Sequence, residues 1–356
     1  MARVRISDVA AAAGVSTSTV SLVLNDRTGA RISEETRARV REAAAVVGYT
    51  PNSIARGLRT QRTRTIGLVS DVIATTPFAG RMLAGAQDAA REHGHLLILV
   101  NTDADPAVER DAIRALVDHQ VDAMIFATMW HRVVETPEGL PDRTVFLDCR
   151  PADGTRPAVV PDEVAGGRAA VRELLAAGHR RIAWLDIDEP DPPVASGLRH
   201  QAYREVLAEA GITPDPAWHV RGDGTTAASG RAATDRLLDL PPHRRPTAIF
   251  CFNDRMAAGA YVAARHRGLE IPADLSVVGY DDQQLVAGEL DPPLTTIALP
   301  HYEMGRWAAE VALGAREPPE PDQPYLMPCP IIRRDSVSSP PAAAPTPAGG
   351  EPDTTP

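Results

Sequence analysis

From Thr65 onward the chain alternates short apolar runs with longer stretches of helical period, and few folds accept that rhythm. Strands are expected over 65–70, 96–101, 123–127, 144–147, 181–185, 248–252 and 277–280. Helices are expected between them, over 80–93, 107–119, 163–177, 201–210, 226–238 and 254–267. Short apolar strands buried on both faces and joined by helices build parallel, doubly wound sheets. Residues 65–335 exceed what one hydrophobic core serves comfortably, so the pattern predicts two lobes. A small ligand then belongs at the carboxyl ends of the strands, in the cleft between the lobes.

The first fifty residues follow another pattern. Ser7 is placed to cap a helix that turns Val9, Ala10 and Ala13 inward, and Gly14 supplies a tight turn. Ser16 is placed to cap a second helix. At about 100° per residue, Val20, Val23 and Leu24 share one half of it, and Thr17, Ser18, Ser21 and Leu22 the other. This is the helix-turn-helix layout, which sets short hydroxyls where a DNA major groove can meet them. The same residues also fit a helical hairpin that only packs. Ser33-Glu34-Glu35 opens a third helix with Val40, Ala44 and Val47 inward, and Gly48 stops it. After the break at Thr50-Pro51-Asn52, a helix over 53–59 with an internal Gly57 is too short to stand alone and is expected to fold on binding.

Charge separates the same two parts. The chain carries a net −10, yet residues 1–64 hold eleven arginines against five acids. A basic head on an acidic body suits a protein whose one end meets phosphates. Cys149, Cys251 and Cys329 lack paired spacing and read as buried free thiols. No signal peptide and no membrane span are legible, so the expected location is the cytoplasm. Scattered histidines without metal-ligand spacing, and acids without a nucleophile, predict no catalytic residues, no metal and no cofactor. From Ser336 the Pro/Ala/Gly/Thr-rich tail is expected to be disordered, and it offers no leucine heptads.

Several strings in fixed order carry a family likeness. They are Gly48-Tyr49-Thr50-Pro51-Asn52, Ala55-Arg56-Gly57-Leu58, Ile66-Gly67-Leu68 and Gly178-His179-Arg180-Arg181-Ile182. Phe252-Asn253-Asp254-Arg255-Met256-Ala257, then Ser276 to Asp282, then Pro292-Pro293-Leu294-Thr295-Thr296-Ile297 complete the set. With the helix-turn-helix, the chain resembles the LacI/GalR family of transcriptional regulators from Ile6 to about Arg334. The resemblance implies an all-α helix-turn-helix DNA-binding domain over 1–50 and a hinge helix over 51–64. An α/β two-lobed effector domain, similar to periplasmic binding proteins, follows over 65–335, with a tail over 336–356.

It further implies a homodimer on a near-palindromic double-stranded operator, modulated by a small molecule. Thr17, Ser18 and Leu22 match the base readers, and Ser16, Thr19, Ser21 and Asn25 suit phosphates. Many members carry arginine where Leu22 stands, so the operator is expected to differ at that base. Ala55, Leu58 and Arg59 match the minor-groove element, Leu58 being the wedge. Asp71, Thr76, Phe78, Asp148, Arg199, Asn253 and Asp281 match effector contacts, with Trp130 and His131 as additions. That set suits a sugar. A purine-type corepressor is the alternative, as is a solute-binding protein without a regulatory role.

Overall fold

The structure, a computed structural model, describes residues 4–24, 32–49, 63–76, 79–318, 320 and 323–341. The chain divides into two compact units, one comprising Met1–Thr65 with Gln120–Asp122 and the other the remainder.

The first unit holds α1 (Ile6–Ala13), α2 (Thr17–Leu24) and α3 (Glu34–Val47). Val9, Ala13, Val20, Val23, Val40 and Ala44 close a small apolar core, with Ile6, Leu24 and Val47 packed against it. Gly14 takes φ +63 after α1, the left-handed turn that glycine adopts without strain. Ser16 accepts the Thr19 amide at 3.1 Å and Ser33 the Thr36 amide at 3.3 Å, so both expected caps form. Ser7 is not a cap. Helix α1 begins one residue earlier, behind Arg5, whose amide donates to the Asp8 carboxylate at 2.8 Å. A carboxylate three residues on satisfies an orphan amide at the helix start, which leaves Ser7 inside the first turn. The Arg39 guanidinium of α3 donates to the Ala13 carbonyl at 3.0 Å and covers the end of α1. Where the chain approaches its first strand, the amides of Thr63 and Arg64 donate to the Asp122 carboxylate at 2.8 and 3.0 Å.

The second unit is built on two six-stranded sheets. The first is assembled from β1 (Thr65–Ser70), β2 (Leu96–Asn101), β3 (Ala123–Val134), β4 (Thr144–Pro151), β5 (Ala158–Pro161) and β11 (Tyr325–Met327). Its order is β11-β5-β4-β3-β1-β2. The second is assembled from β6 (Ile182–Asp188), β7 (His219–Asp223), β8 (Ala248–Cys251), β9 (Ser276–Asp281), β10 (Thr295–Ala298) and β12 (Ile331–Ile332), in the order β12-β10-β9-β8-β6-β7. Strands β3, β4, β8 and β9 each have parallel neighbours on both sides, and β12 lies antiparallel to β10. The helices are α4 (Gly80–Glu92), α5 (Pro106–Asp118), α6 (Glu163–Ala176), α7 (Val194–Glu209), α8 (Ala227–Leu238), α9 (Asp254–His266) and α10 (His301–Ala312). Ile66, Leu68, Ile125, Leu147 and Trp307 belong to one core; Trp184, Tyr203, Phe250, Phe252 and Tyr280 belong to the other.

The chain passes between the lobes three times: from β5 into α6, from β10 into α10, and from β11 into β12. These crossings, like the short strands β5, β7, β10, β11 and β12, lie below what apolar periodicity can register. Helix α7 begins seven residues before the expected start, because Ser196, Gly197 and Arg199 interrupt its apolar pattern. Helix α10 packs on α4 with the backbones in contact: a Cβ on Gly85 would stand 1.9 Å from the Tyr302 carbonyl oxygen.

The tail does not leave the body at Ser336. That side chain is fully buried, donates to the Val277 carbonyl at 2.6 Å and accepts the Thr295 amide at 2.8 Å. The Ser338 carbonyl then accepts from Nε2 of the buried His179 at 2.9 Å, while Thr247 meets Nδ1 at 2.9 Å. Serines that composition assigns to low complexity here act through hydrogen bonds, which leave no apolar signature. Residues 342–356 of that tail lie outside the described residues. Among the described residues no single helix is long and apolar enough to cross a membrane.

Two outcomes follow. Ser336→Ala leaves a buried carbonyl and a buried amide unpaired and should cost about 1–3 kcal/mol in urea unfolding. Gly85→Ala must force α4 and α10 apart and should destabilise the body by about 1–3 kcal/mol in the same measurement.

Candidate functional site

On α2 the residues fall as helical period dictates. Thr17 and Ser18 are exposed in the first turn, Leu22 and Ser21 are half-buried one turn later, and Val20 and Val23 face the core. The Ser16 and Thr19 hydroxyls lie 2.9 Å apart and bond to each other. The candidate base readers on this helix are therefore short: two small hydroxyl residues and one leucine. Asn25, Ala55, Leu58 and Arg59 lie outside the described residues, as does Phe78 of the effector set.

In the second unit a small cavity of about 20 Å³ lies where the crossings meet the strands. Trp130 and His131 of β3, Asp148 of β4, Glu163 of α6, Arg199 of α7, Asp281 of β9 and His301 of α10 line it, with Pro161 and Leu299 from the crossing segments. Such a volume holds about one water and no sugar ring. A larger cavity of about 360 Å³ shares Asp281, Leu299 and His301 with it and is otherwise lined by Arg81, Gln283, Glu303 and Met327 among others.

Arg199 organises the small cavity. It is 3% exposed, and its Nε and Nη2 donate to the two Glu163 oxygens at 2.7 and 3.1 Å. Its Nη1 donates to the Phe252 carbonyl at 2.6 Å, and the guanidinium carbon stands 3.5 Å from the centre of the Tyr280 ring. A planar fork suits this combination of bidentate pairing and ring contact. Glu163 went unassigned in the sequence, which has two acids at that helix start. Asp162 is the cap, accepting the Ala165 amide at 3.0 Å, so the second acid was free for another partner.

Asp148 sits at φ +56, is 3% exposed, and leaves Oδ1 buried without a partner. Burial first, and Glu163 second, push its carboxyl well above the usual range. Asp281, at φ +106, accepts Gln283 Nε2 at 2.7 Å on one oxygen, while the other stands 3.9 Å from Arg199. Burial raises its carboxyl too, against the opposing pull of Arg199. Burial lowers the His131 imidazole, whose Nδ1 has no partner.

Three expected contacts lie elsewhere. Asn253 caps α9, its Oδ1 accepting the Met256 amide at 2.8 Å and its Nδ2 donating to Thr225 at 3.3 Å. Asp71 accepts the Val72 and Met129 amides at 2.5 and 3.0 Å and ties the ends of β1 and β3. Thr76 donates to the Val72 carbonyl at 2.9 Å. None of the three lines the small cavity. Arg199→Ala would leave Glu163 charged and unpaired in the interior, and should destabilise the body by about 3–5 kcal/mol in denaturant unfolding.

Residues 5–52 match the family model of bacterial regulatory proteins of the lacI family, and residues 171–337 match the periplasmic binding protein-like domain. The ribose operon repressor of Escherichia coli K12 is 34% identical over 333 residues, covering 92% of this chain and 97% of that protein. The transcriptional repressor PurR of Aliivibrio fischeri ES114 is 31% identical over 344 residues, covering 94% and 98%. The crystal structure of the Lac repressor dimer bound to operator and an anti-inducer superposes with a TM-score of 0.76 at 27% identity, covering 95% and 100%. A helix-turn-helix head, a two-lobed body and similarity over nearly the whole length thus converge: the chain belongs to the LacI family, as a non-enzymatic, DNA-binding transcriptional repressor with a periplasmic-binding-protein-like effector domain.

Proposed function

We propose that the protein acts in the cytoplasm as a homodimer on a near-palindromic operator and that a sugar held in its cleft sets operator affinity. Thr17, Ser18 and Leu22 read bases, Ser16, Thr19, Ser21 and Asn25 meet phosphates, and Ala55, Leu58 and Arg59 engage the minor groove. The observation that carries the effector reading is the cavity. Residues from both lobes converge on it at the crossings, with a buried Arg199–Glu163 pair and the unpartnered Asp148 oxygen as its polar core. A cavity that small admits a sugar only if the lobes part, so ligand binding and lobe geometry are coupled. Movement at the β10–α10 crossing passes to α4 through the backbone contact at Gly85. A ligand that favours one lobe arrangement shifts the population toward it, and operator affinity follows. Domain bounds of 1–50, 51–64 and 65–335 belong to the same reading, the hinge being the element that orders on DNA.

A mobility-shift titration on the DNA upstream of the protein's own gene tests this, with a panel of sugars and purines at fixed salt. Leu58→Ala should weaken binding about tenfold or more without lowering the melting temperature, since an intercalated side chain contributes only in the complex. A sugar should change the wild-type midpoint. Equal binding by both proteins sinks the wedge assignment, and a response to purines alone replaces the sugar by a purine-type ligand. Sugar binding without any affinity for DNA would return the solute-binding alternative.

A further inference from the structure

Among the described residues, the one guanidinium that lines the small cavity is already engaged. Arg199 has given both edges of its guanidinium to Glu163 and the Phe252 carbonyl, and the Asn253 amide belongs to α9 and Thr225. What the lining still offers is carboxylate oxygens and the His131 imidazole, whose Nδ1 has no partner. Asp148 Oδ1 is buried and unpartnered, and one oxygen of Asp281 faces Arg199 only at 3.9 Å. Three carboxylates, those of Asp148, Glu163 and Asp281, stand against one guanidinium on these walls. The Glu163–Arg199 pair cancels itself. Were Asp148 and Asp281 both ionised the surplus would be negative, and burying it without a counter-charge is costly.

We infer that the effector is a small polyol bearing a protonated amine, an amino sugar in chemical class, whose ammonium donates to Asp148. This rests on the reading of the cavity as the effector site, and it predicts that no phosphate or carboxylate of the ligand lies against Asp148. Burial favours the uncharged form of Asp148, and Glu163, Asp71 and Asp281 add to that against the opposing pull of Arg199. His131 from β3 stays uncharged by burial, and His301 at the start of α10 completes the lining. An ammonium brings the missing charge and short charge-assisted donors. Below the pKa of the amine it enters charged and the Asp148 proton leaves to solvent, so binding there releases up to one proton and affinity rises with pH until the free amine itself deprotonates. A plain hexose supplies no counter-charge, leaves Asp148 protonated and releases none.

Calorimetric titration of the full-length protein in two buffers of different protonation enthalpy tests the inference. The probes are glucosamine, galactosamine and mannosamine, their parent hexoses and their 6-phosphates, each also added to the operator complex. An amino sugar should bind about tenfold or more tighter than its parent hexose, the difference of one charge-assisted contact, and release about one proton. Asp148→Asn should abolish both the preference and the proton release, because asparagine tolerates the left-handed backbone at this position. A hexose or a 6-phosphate that binds as tightly as the amine, an amine that binds without proton release, or the failure of all three amines to bind overturns it. If a hexose alone binds and alters the operator complex, the sugar reading survives and only the amine is lost. If every sugar fails while a purine acts, both fall.

Discussion

The buried bidentate pair between Arg199 and Glu163 ties several elements of the second unit together through one side chain. It joins α6 to α7, fixes the carbonyl at the end of β8 through Phe252, and lays a guanidinium over Tyr280 of β9. Each partner would be prohibitive to bury alone, and together they are satisfied only in this arrangement. Specificity of this kind has a structural consequence: the ends of four elements are set relative to one another by one side chain. Asp148 and Asp281 then face a wall already fixed, and their own carboxyls feel its charge.

The three crossings supply the second constraint. A chain that leaves one sheet for the other at Pro161, at Leu299 and again after Met327 gives the lobes a common set of connections at which their relative position can change. Helix α10 follows β10 of one sheet and packs against the other lobe, backbone on backbone with α4. With no side chain between Gly85 and Tyr302 to absorb a shift, a displacement of α10 is carried to α4 rather than damped.

Much of this was legible beforehand where local rules act. The head follows from its caps and turns: Ser16, Ser33, Gly14 and Gly48 stand where helix ends require them. Strands β1, β2, β8 and β9 announce themselves as apolar runs, and helices α4, α5, α8 and α9 by their period. Strands β5, β7, β10, β11 and β12, of two to five residues each, were not marked out by the sequence pattern. Ser336 and His179 were not legible either. Their contribution is a hydrogen-bond network across distant segments, and only packing brings those segments together.

The family resemblance named Asp71, Thr76, Phe78, Asp148, Arg199, Asn253 and Asp281 as candidate effector contacts, and of these the structure brings Asp148, Arg199 and Asp281 to one cavity. Asn253 has the same chemistry but serves as a helix cap, and Asp71 ties two strand ends. Nothing in a side chain's identity says which of its possible partners it will meet. The amino-acid sequence by itself determined the helical head, the alternation that forces parallel sheets, and the charge asymmetry between head and body, since each depends on near neighbours along the chain. Only the tertiary structure decided that Glu163 would neutralise Arg199, that Asp148 would keep a buried oxygen without a partner, and that the segment from Ser336 to Ser338 would stay in the fold. Those outcomes depend on burial and on contacts between residues far apart in the chain.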